Sequence, residues 1–270
     1  MDIPEGSTIK TFSFNHKMKL FHSYYEDHNR QTRDRCTVDI LIPFHGNYTG
    51  VRKLVKSILE QTRSNPYQIT LIDDASPNKE FVETMRQAPQ TKCIRLNKQV
   101  GFGAALYEGF NKTTQPFVCI LHSDCEIVSY NWLEDMGNTL FKLHDSNVRL
   151  VSARTDNSLS DIPELEGERG TPADDIIVDR ALPLYAALFE RNLFNQIGGF
   201  IKPYPFAGFE NEELYWRMSK YGFKQAISGR SWVRHQGEGT IGPLVKKRPE
   251  ILTIMNENRN RCLKDVKTLM

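Results

Sequence analysis

Cysteine is scarce in this chain: Cys36, Cys93, Cys119, Cys125 and Cys262 are odd in number and never spaced as a CxxC pair. That excludes a disulfide framework as the basis of the fold, offers no zinc site, and fits a reducing compartment. Long apolar runs are missing too. No amino-terminal stretch has the order of a secretory leader, and the longest later run, about Ala181 to Phe189, is short and contains Pro183. The expectation is a soluble, cytoplasmic protein in which the sequons at Asn47 and Asn111 carry no meaning. An excess of one charge is also lacking, with 35 Lys and Arg against 33 Asp and Glu, so no global field announces nucleic acid or an acidic membrane. The basic clusters Lys246-Lys247-Arg248 and Arg259-Asn260-Arg261 read as solvated surface. No internal repeat is present.

What remains is an ordinary globular composition: 270 residues, 39% hydrophobic and 25% charged, enough for one large α/β domain with appendages. Residues 1–35 are polar, charged and without period, and read as an extension. From Val38 strands and helices alternate. Strands are expected at Val38–Phe44, 68–72, 93–96, up to His122 and 148–152, with helices near 49–62, 78–87, 104–111 and 131–143, which predicts a single, mostly parallel sheet flanked by helices. In the first helix Val51, Leu54, Val55, Ile58 and Leu59 recur at three- and four-residue spacing, one buried stripe. Residues 153–176 are polar and loop-like and read as a lid or acceptor loop. Beyond them come the apolar segment 182–189, a short helix 191–197 closed by Gly198-Gly199, a helix 211–221 stopped by Gly222, a strand region 223–233 and a charged helical tail.

Ligands of open α/β sheets collect at the carboxyl ends of the strands, and four such exits carry suggestive residues. Pro43-Phe44-His45 free backbone groups from the sheet edge, where a base can dock, or make a plain turn. Asp73-Asp74-Ala75-Ser76 offer carboxylates to a ribose or a pyrimidine imide, or Ser76 caps the next helix. Asn97 to Ala105 place Gly101 and Gly103 at a helix amino terminus suited to phosphate. Leu106 stands where a dinucleotide fingerprint has its third glycine, so a nicotinamide enzyme is disfavoured. The buried run Phe117-Val118-Cys119-Ile120-Leu121 ends in His122-Ser123-Asp124-Cys125-Glu126, polar and acidic groups whose presence at a strand mouth calls for a cation or ligand, unless Ser123 and Asp124 cap the following helix.

In this order the motifs resemble family 2 glycosyltransferases of the GT-A fold. The likeness covers about residues 38 to 240 and rests on Ile40-Leu41-Ile42-Pro43-Phe44, Ser57 to Thr62 with its Gln61-Thr62 pair, Asp73 to Ser76, Phe189 to Phe200 with its Gly-Gly-Phe, and Trp232 to Gly237. It implies a GT-A domain at 36–240, an extension at 1–35 and a helical tail at 241–270. The activity implied is sugar transfer from a nucleotide-sugar, expected to be a UDP-sugar, to an acceptor hydroxyl with Mn²⁺ or Mg²⁺. The acceptor is left open among a glycan, lipid-linked glycan, protein, small molecule or modified nucleic-acid base.

Residue by residue, the resemblance implies that Pro43, Phe44, His45, Asp73 or Asp74, Asn97, Gly101, Phe102, Gly103, His122 and Ser123 hold the donor, and that Asp124 and His235 bind the cation. His122 stands where the family commonly has the first aspartate of a pair, and is expected to face nucleotide, water or metal; Glu126 is a further acidic neighbour. Gly208-Phe209-Glu210-Asn211-Glu212-Glu213 resembles the family's acid-rich motif, with Asn211 replacing a common aspartate. An amide cannot be a general base, so Glu210 or Glu212 takes that role, and the Glu-Asn wording is also similar to polypeptide N-acetylgalactosaminyltransferases. Glu213 and Arg217 are expected as a surface i,i+4 pair, and Leu214, Met218 and Tyr221 as a core stripe. Two rivals remain: a nucleotidyltransferase of similar fold, and an inactive nucleotide-sugar-binding protein.

Overall fold

Seven consecutive buried residues, Val38–Phe44, form strand β1, and an unbroken apolar strand of that kind belongs in the interior of a parallel sheet, covered on both faces. The computed structural model describes residues 38–62, 66–157, 161–167, 171–237 and 245–269; the extension at 1–35 lies outside them. β1 pairs in parallel with β2 (Tyr67–Asp73) and β4 (Phe117–Leu121), and β2 with β3 (Thr91–Arg95). Helices α1 (Tyr48–Gln61), α2 (Lys79–Met85) and α3 (Phe102–Asn111) make the crossovers. α1 begins where Asn47 accepts from the Gly50 amide, and it buries Val51, Leu54, Val55 and Ile58. The crossovers leave the carboxyl ends of β1, β2 and β4 on one edge, which is where the site is built.

Past β4 the sheet becomes mixed. Its order is β3-β2-β1-β4-β8-β6-β9-β5, with β7 on β9. Here β5 is Cys125–Ile127, β6 Val148–Thr155, β7 Ile176–Val178, β8 Ala186–Glu190 and β9 Lys224–His235. β8 runs antiparallel to both β4 and β6, β6 parallel to β9, and β5 and β7 antiparallel to β9. The two three-residue strands, β5 and β7, are too short to declare themselves by periodicity. The expected loop at 153–176 is anchored in its described part: Leu165 is fully buried in a short 3₁₀ turn, and Arg154 donates to the Glu166 carbonyl at 2.9 Å.

The remaining helices are α4 (Trp132–Lys142), α5 (Asn192–Gln196), α6 (Glu210–Lys220) and α7 (Glu250–Leu269). The tail is not a detached appendage. α7 packs against α6, and Cys262 and Val266 close on Tyr204. Two expectations for α6 are corrected. Glu213 and Arg217 form a buried pair at 2.8 Å rather than a surface one, because Arg217 also donates to the carbonyls of Gly199 and Phe200 and fixes that turn against the helix. Tyr221 is half exposed rather than core, since the helix ends at Lys220 and turns outward at Gly222.

Asp39 is the one charge buried in β1, and Arg191 answers it: Nη2 lies 2.9 Å from Oδ2, while Nε and Nη1 donate to the Gln115 and Phe110 carbonyls. Removing the guanidinium in Arg191→Leu strands a carboxylate in the core, and a stability loss of about 3–5 kcal/mol is expected by chemical denaturation; an unchanged midpoint contradicts it. No helix among the described residues is long and apolar enough to cross a membrane.

Candidate active site

The strand exits converge on a cavity of about 290 Å³. Pro43, Phe44 and His45 reach it from β1, Asp74 from β2, Gly101 and Phe102 from the start of α3, and His122, Ser123 and Asp124 from β4. Glu210 and Asn211 enter from α6. Each of these segments would be unremarkable alone; their meeting defines one site from residues as far apart as 43 and 211.

Not every predicted residue lines that space. Asp73 ends β2 fully buried, its Oδ1 accepting from the Ser76 amide at 2.8 Å and its Oδ2 paired with Arg95. It braces the turn beneath the site. Its neighbour projects to the other side of the strand, as alternation requires: Asp74 accepts from the Val100 amide at 2.6 Å and the Gly101 amide at 2.8 Å, so it shapes the wall above α3. Burial raises the Asp74 carboxyl above its ordinary range, with the two amides opposing. Asn97 is exposed and outside the cavity, and Gly103 faces Pro203 and Glu210, where a Cβ would sit 3.0 Å and 3.2 Å away. Glu212 is on the next face of α6 and does not line the cavity.

His122 and Asp124 line the cavity and His235 stands behind them, outside the lining, with one ligand-type atom of each of the three within 4.8 Å of the others. His235 Nε2 lies 3.5 Å from Asp124 Oδ1. Its other nitrogen, Nδ1, donates to the Asn157 carbonyl at 3.1 Å, which fixes the ring and leaves Nε2 turned to the cluster. Tyr185 stacks on that ring at 5.0 Å, and the Phe102 edge meets His122 at 4.9 Å. Burial pushes the His122 imidazole down to about 4, against the pull of Asp124, so near neutrality it is an uncharged base able to offer a lone pair. Glu126 is turned away and paired with Arg234 at 2.8 Å.

Two imidazole nitrogens and one carboxylate oxygen are a donor set that suits Mn²⁺ better than Mg²⁺, which favours oxygen ligands. The second-sphere bond from His235 to Asn157 is what a nitrogen ligand needs to be aimed.

Glu210, which also lines the cavity, is buried, only 4% exposed. Its Oε2 accepts from the Gly208 amide at 2.6 Å, while Oε1 has no hydrogen-bond partner among the described residues. Burial raises its carboxyl to about 7, the backbone amides opposing. A carboxylate with one free oxygen and a pKa near neutrality is equipped to take or give a proton. Sequence reasoning missed Gln99, Ala105, Pro183, Leu184, Phe206, Ala207, Gly208 and Met255 in the lining. Gln99 and Ala105 lie inside the Asn97–Ala105 segment and Gly208 opens the acid-rich motif, while the others belong to no motif that the sequence announces.

Comparison with known proteins agrees with this architecture. Residues 39–167 match the model for "Glycosyl transferase family 2". Human polypeptide N-acetylgalactosaminyltransferase 16 is 29% identical over 121 residues, which are 44% of this chain and 21% of that protein, so the match spans about a fifth of the relative's length. The structure of GalNAc-T7 with UDP, GalNAc and Mn²⁺ superposes with a TM-score of 0.61 at 18% identity, covering 74% of this chain and 43% of that one. The mannosyltransferase PcManGT of Pyrobaculum calidifontis with GDP-Man and Mn²⁺ gives a TM-score of 0.58 at 15% identity, covering 90% of this chain and 72% of that one. The parallel half-sheet and the strand-end cavity agree with these likenesses: residues 39–167 are similar to glycosyl transferase family 2, and the chain is built on the GT-A fold.

Proposed function

We propose that this protein transfers a sugar from a nucleotide-sugar to an acceptor hydroxyl, with a divalent cation held by His122, Asp124 and His235. The observation that supports the reading is that two members of that cluster, His122 and Asp124, line the same cavity as Glu210, whose Oε1 has no hydrogen-bond partner among the described residues. A cation there, when bound, supplies the positive charge that a departing diphosphate needs. Pro43, Phe44 and His45 form the apolar and backbone-rich end where a nucleoside docks, with His45 Nδ1 2.7 Å from the Asp74 carbonyl. We assign UDP as the nucleotide, in keeping with the UDP in the GalNAc-T7 structure. The acceptor's own oxygen is the nucleophile, and Glu210, rather than Glu212, takes its proton because only Glu210 faces the cavity.

Asn211 enters the cavity beside Glu210 as a hydrogen-bonding group for substrate hydroxyls, a role open to an amide that cannot be a base. A nucleotidyltransferase is separated by its products: release of a nucleoside diphosphate from a sugar donor supports glycosyl transfer, pyrophosphate from a triphosphate opposes it. A thermal-shift panel of UDP- and GDP-sugars with Mn²⁺ is expected to raise Tm for UDP-sugars above the others, since a ligand stabilises in proportion to RT ln(1 + [L]/Kd), about 2.7 kcal/mol at a hundredfold excess over Kd. A flat response across the panel, with no nucleotide released, removes the proposal.

A further inference from the structure

One wall of the cavity is held in an unusual backbone state by the carboxyl-terminal helix. Pro205, Phe206 and Ala207 form a three-residue turn closed by the Ala207 amide on the Pro205 carbonyl at 2.9 Å, and Phe206 at its centre has φ +63°. That is the rare, strained hand of such a turn, and for an aromatic residue it is a true outlier. Phe209, three residues on, also has positive φ, at +73°. Strain of this kind persists only where surroundings over-determine it, and it gathers at functional sites.

The surroundings come from two directions. Toward the sheet, the Phe102 amide donates to the Phe206 carbonyl at 2.7 Å, and Gly101 bridges to Phe206 so closely that a Cβ at 101 would meet its backbone at 2.6 Å. From the tail, Asn258 of α7 is fully buried, and its Nδ2 donates to the Pro205 carbonyl at 2.8 Å and the Ala207 carbonyl at 3.0 Å, one on each side of the strained residue. The two N–H bonds of the amide nitrogen let this one uncharged side chain serve both carbonyls at once. Arg248 adds its guanidinium over the Phe206 ring at 5.1 Å, and Met255, one turn before Asn258, itself enters the cavity.

We infer that Asn258 is a positioning residue: it clamps the Pro205–Ala207 turn and so sets Phe206, the cavity wall and the approach to Glu210, making α7 part of the transfer site rather than a surface tail. The inference rests on the proposed function for its kinetic consequence but not for its structural one. The Gly208 amide that holds Glu210 Oε2 follows the turn directly, so a shift of the turn is transmitted to the base. Displacing a reacting group by about 1 Å costs on the order of 10²-fold in rate.

The test compares Asn258→Asp, which puts a carboxylate against two carbonyls, with Arg248→Met, a half-exposed change that spares the core, and with Asn256→Asp on the solvent side of α7 as control. Hydrogen exchange of the Phe102 and Ala207 amides and UDP release from UDP-GalNAc and UDP-GlcNAc with Mn²⁺ are the readouts. For Asn258→Asp, exchange at both amides rises at least tenfold, in the range open to local unfolding, and kcat falls on the order of 10²-fold with donor KM held. Arg248→Met moves both in the same direction by less, and Asn256→Asp moves neither. If Asn258→Asp fails to fold, Arg248→Met decides. Wild-type exchange and wild-type kcat in a folded Asn258→Asp, or in Arg248→Met when it must decide, overturn the inference. A wild-type protein that releases no UDP sinks the proposed function instead, and the exchange arm still judges the clamp.

Discussion

Glu210→Gln is expected to lower kcat by about 10²- to 10⁴-fold, the usual worth of a positioned general base, while UDP binding with Mn²⁺ stays near wild type. The amide keeps the shape and can still accept from the Gly208 amide, so the cavity survives; what disappears is the capacity of Oε1 to hold a proton. Glu212→Gln, off the cavity, is expected to leave kcat almost unchanged. Equal losses in the two variants would contradict the assignment.

The same carboxyl yields a pH signature. A base works only when deprotonated, so with its pKa near 7 the wild-type rate should climb through the neutral range and level off above it. Stability runs the opposite way. The folded pKa lies above the ordinary 4.5, so between those values the folded state binds more protons than the unfolded one, and stability falls as pH rises through that window. Glu210→Gln removes this slope. The inactive variant should therefore melt higher than wild type at pH 8 and no higher at pH 4, a divergence that Tm measured at the two pH values reads directly. That is the trade-off of a site that keeps a charge where the fold would prefer none.

Much of this site is legible in sequence because parallel strands deliver their carboxyl ends to one edge regardless of what lies between them. Phe44, Asp74, His122 and Asp124 each stand at the end of an apolar strand or within three residues of it, so reading where the run stops is enough to place them. That Asp74 lines the cavity while Asp73 pairs with Arg95 on the neighbouring strand is a matter of register that no local pattern carries. The antiparallel entry of β8 is likewise invisible in an apolar run, whose direction has no signature. Asn157, Tyr185, Phe206, Met255 and Asn258 escape for a common reason. Each acts on the site through a contact far away in sequence, and its own neighbours advertise only a loop, a strand or a charged helix.

Loss of the cation cluster should have the other large effect. In Asp124→Asn the single carboxylate among the three candidate ligands becomes a neutral amide, leaving two imidazoles to face a divalent ion without anionic charge. Charge stabilisation by a bound metal is worth several kcal/mol, so turnover with Mn²⁺ should fall by about 10³-fold, each 1.36 kcal/mol being tenfold in rate. The fold should hold, because Asp124 lies at the cavity edge and His235 keeps its bond to Asn157 and its stack on Tyr185. Mn²⁺ binding in the presence of UDP, followed by the electron paramagnetic resonance signal of the free ion, is expected to weaken in parallel with turnover. Glu126→Gln supplies the contrast, since that carboxylate belongs to Arg234 and the outer face of β5, and its loss should leave both readouts near wild type. If instead Asp124→Asn bound Mn²⁺ and released UDP as wild type does, or if excess chelator left the wild-type rate untouched, the cluster would have no part in transfer and the neutralising charge would have to come from the protein's own cations. Among the described residues the cavity lining holds no Lys or Arg. The proposed place for that positive charge is the cluster of His122, Asp124 and His235, whose ligand-type atoms lie within 4.8 Å of one another.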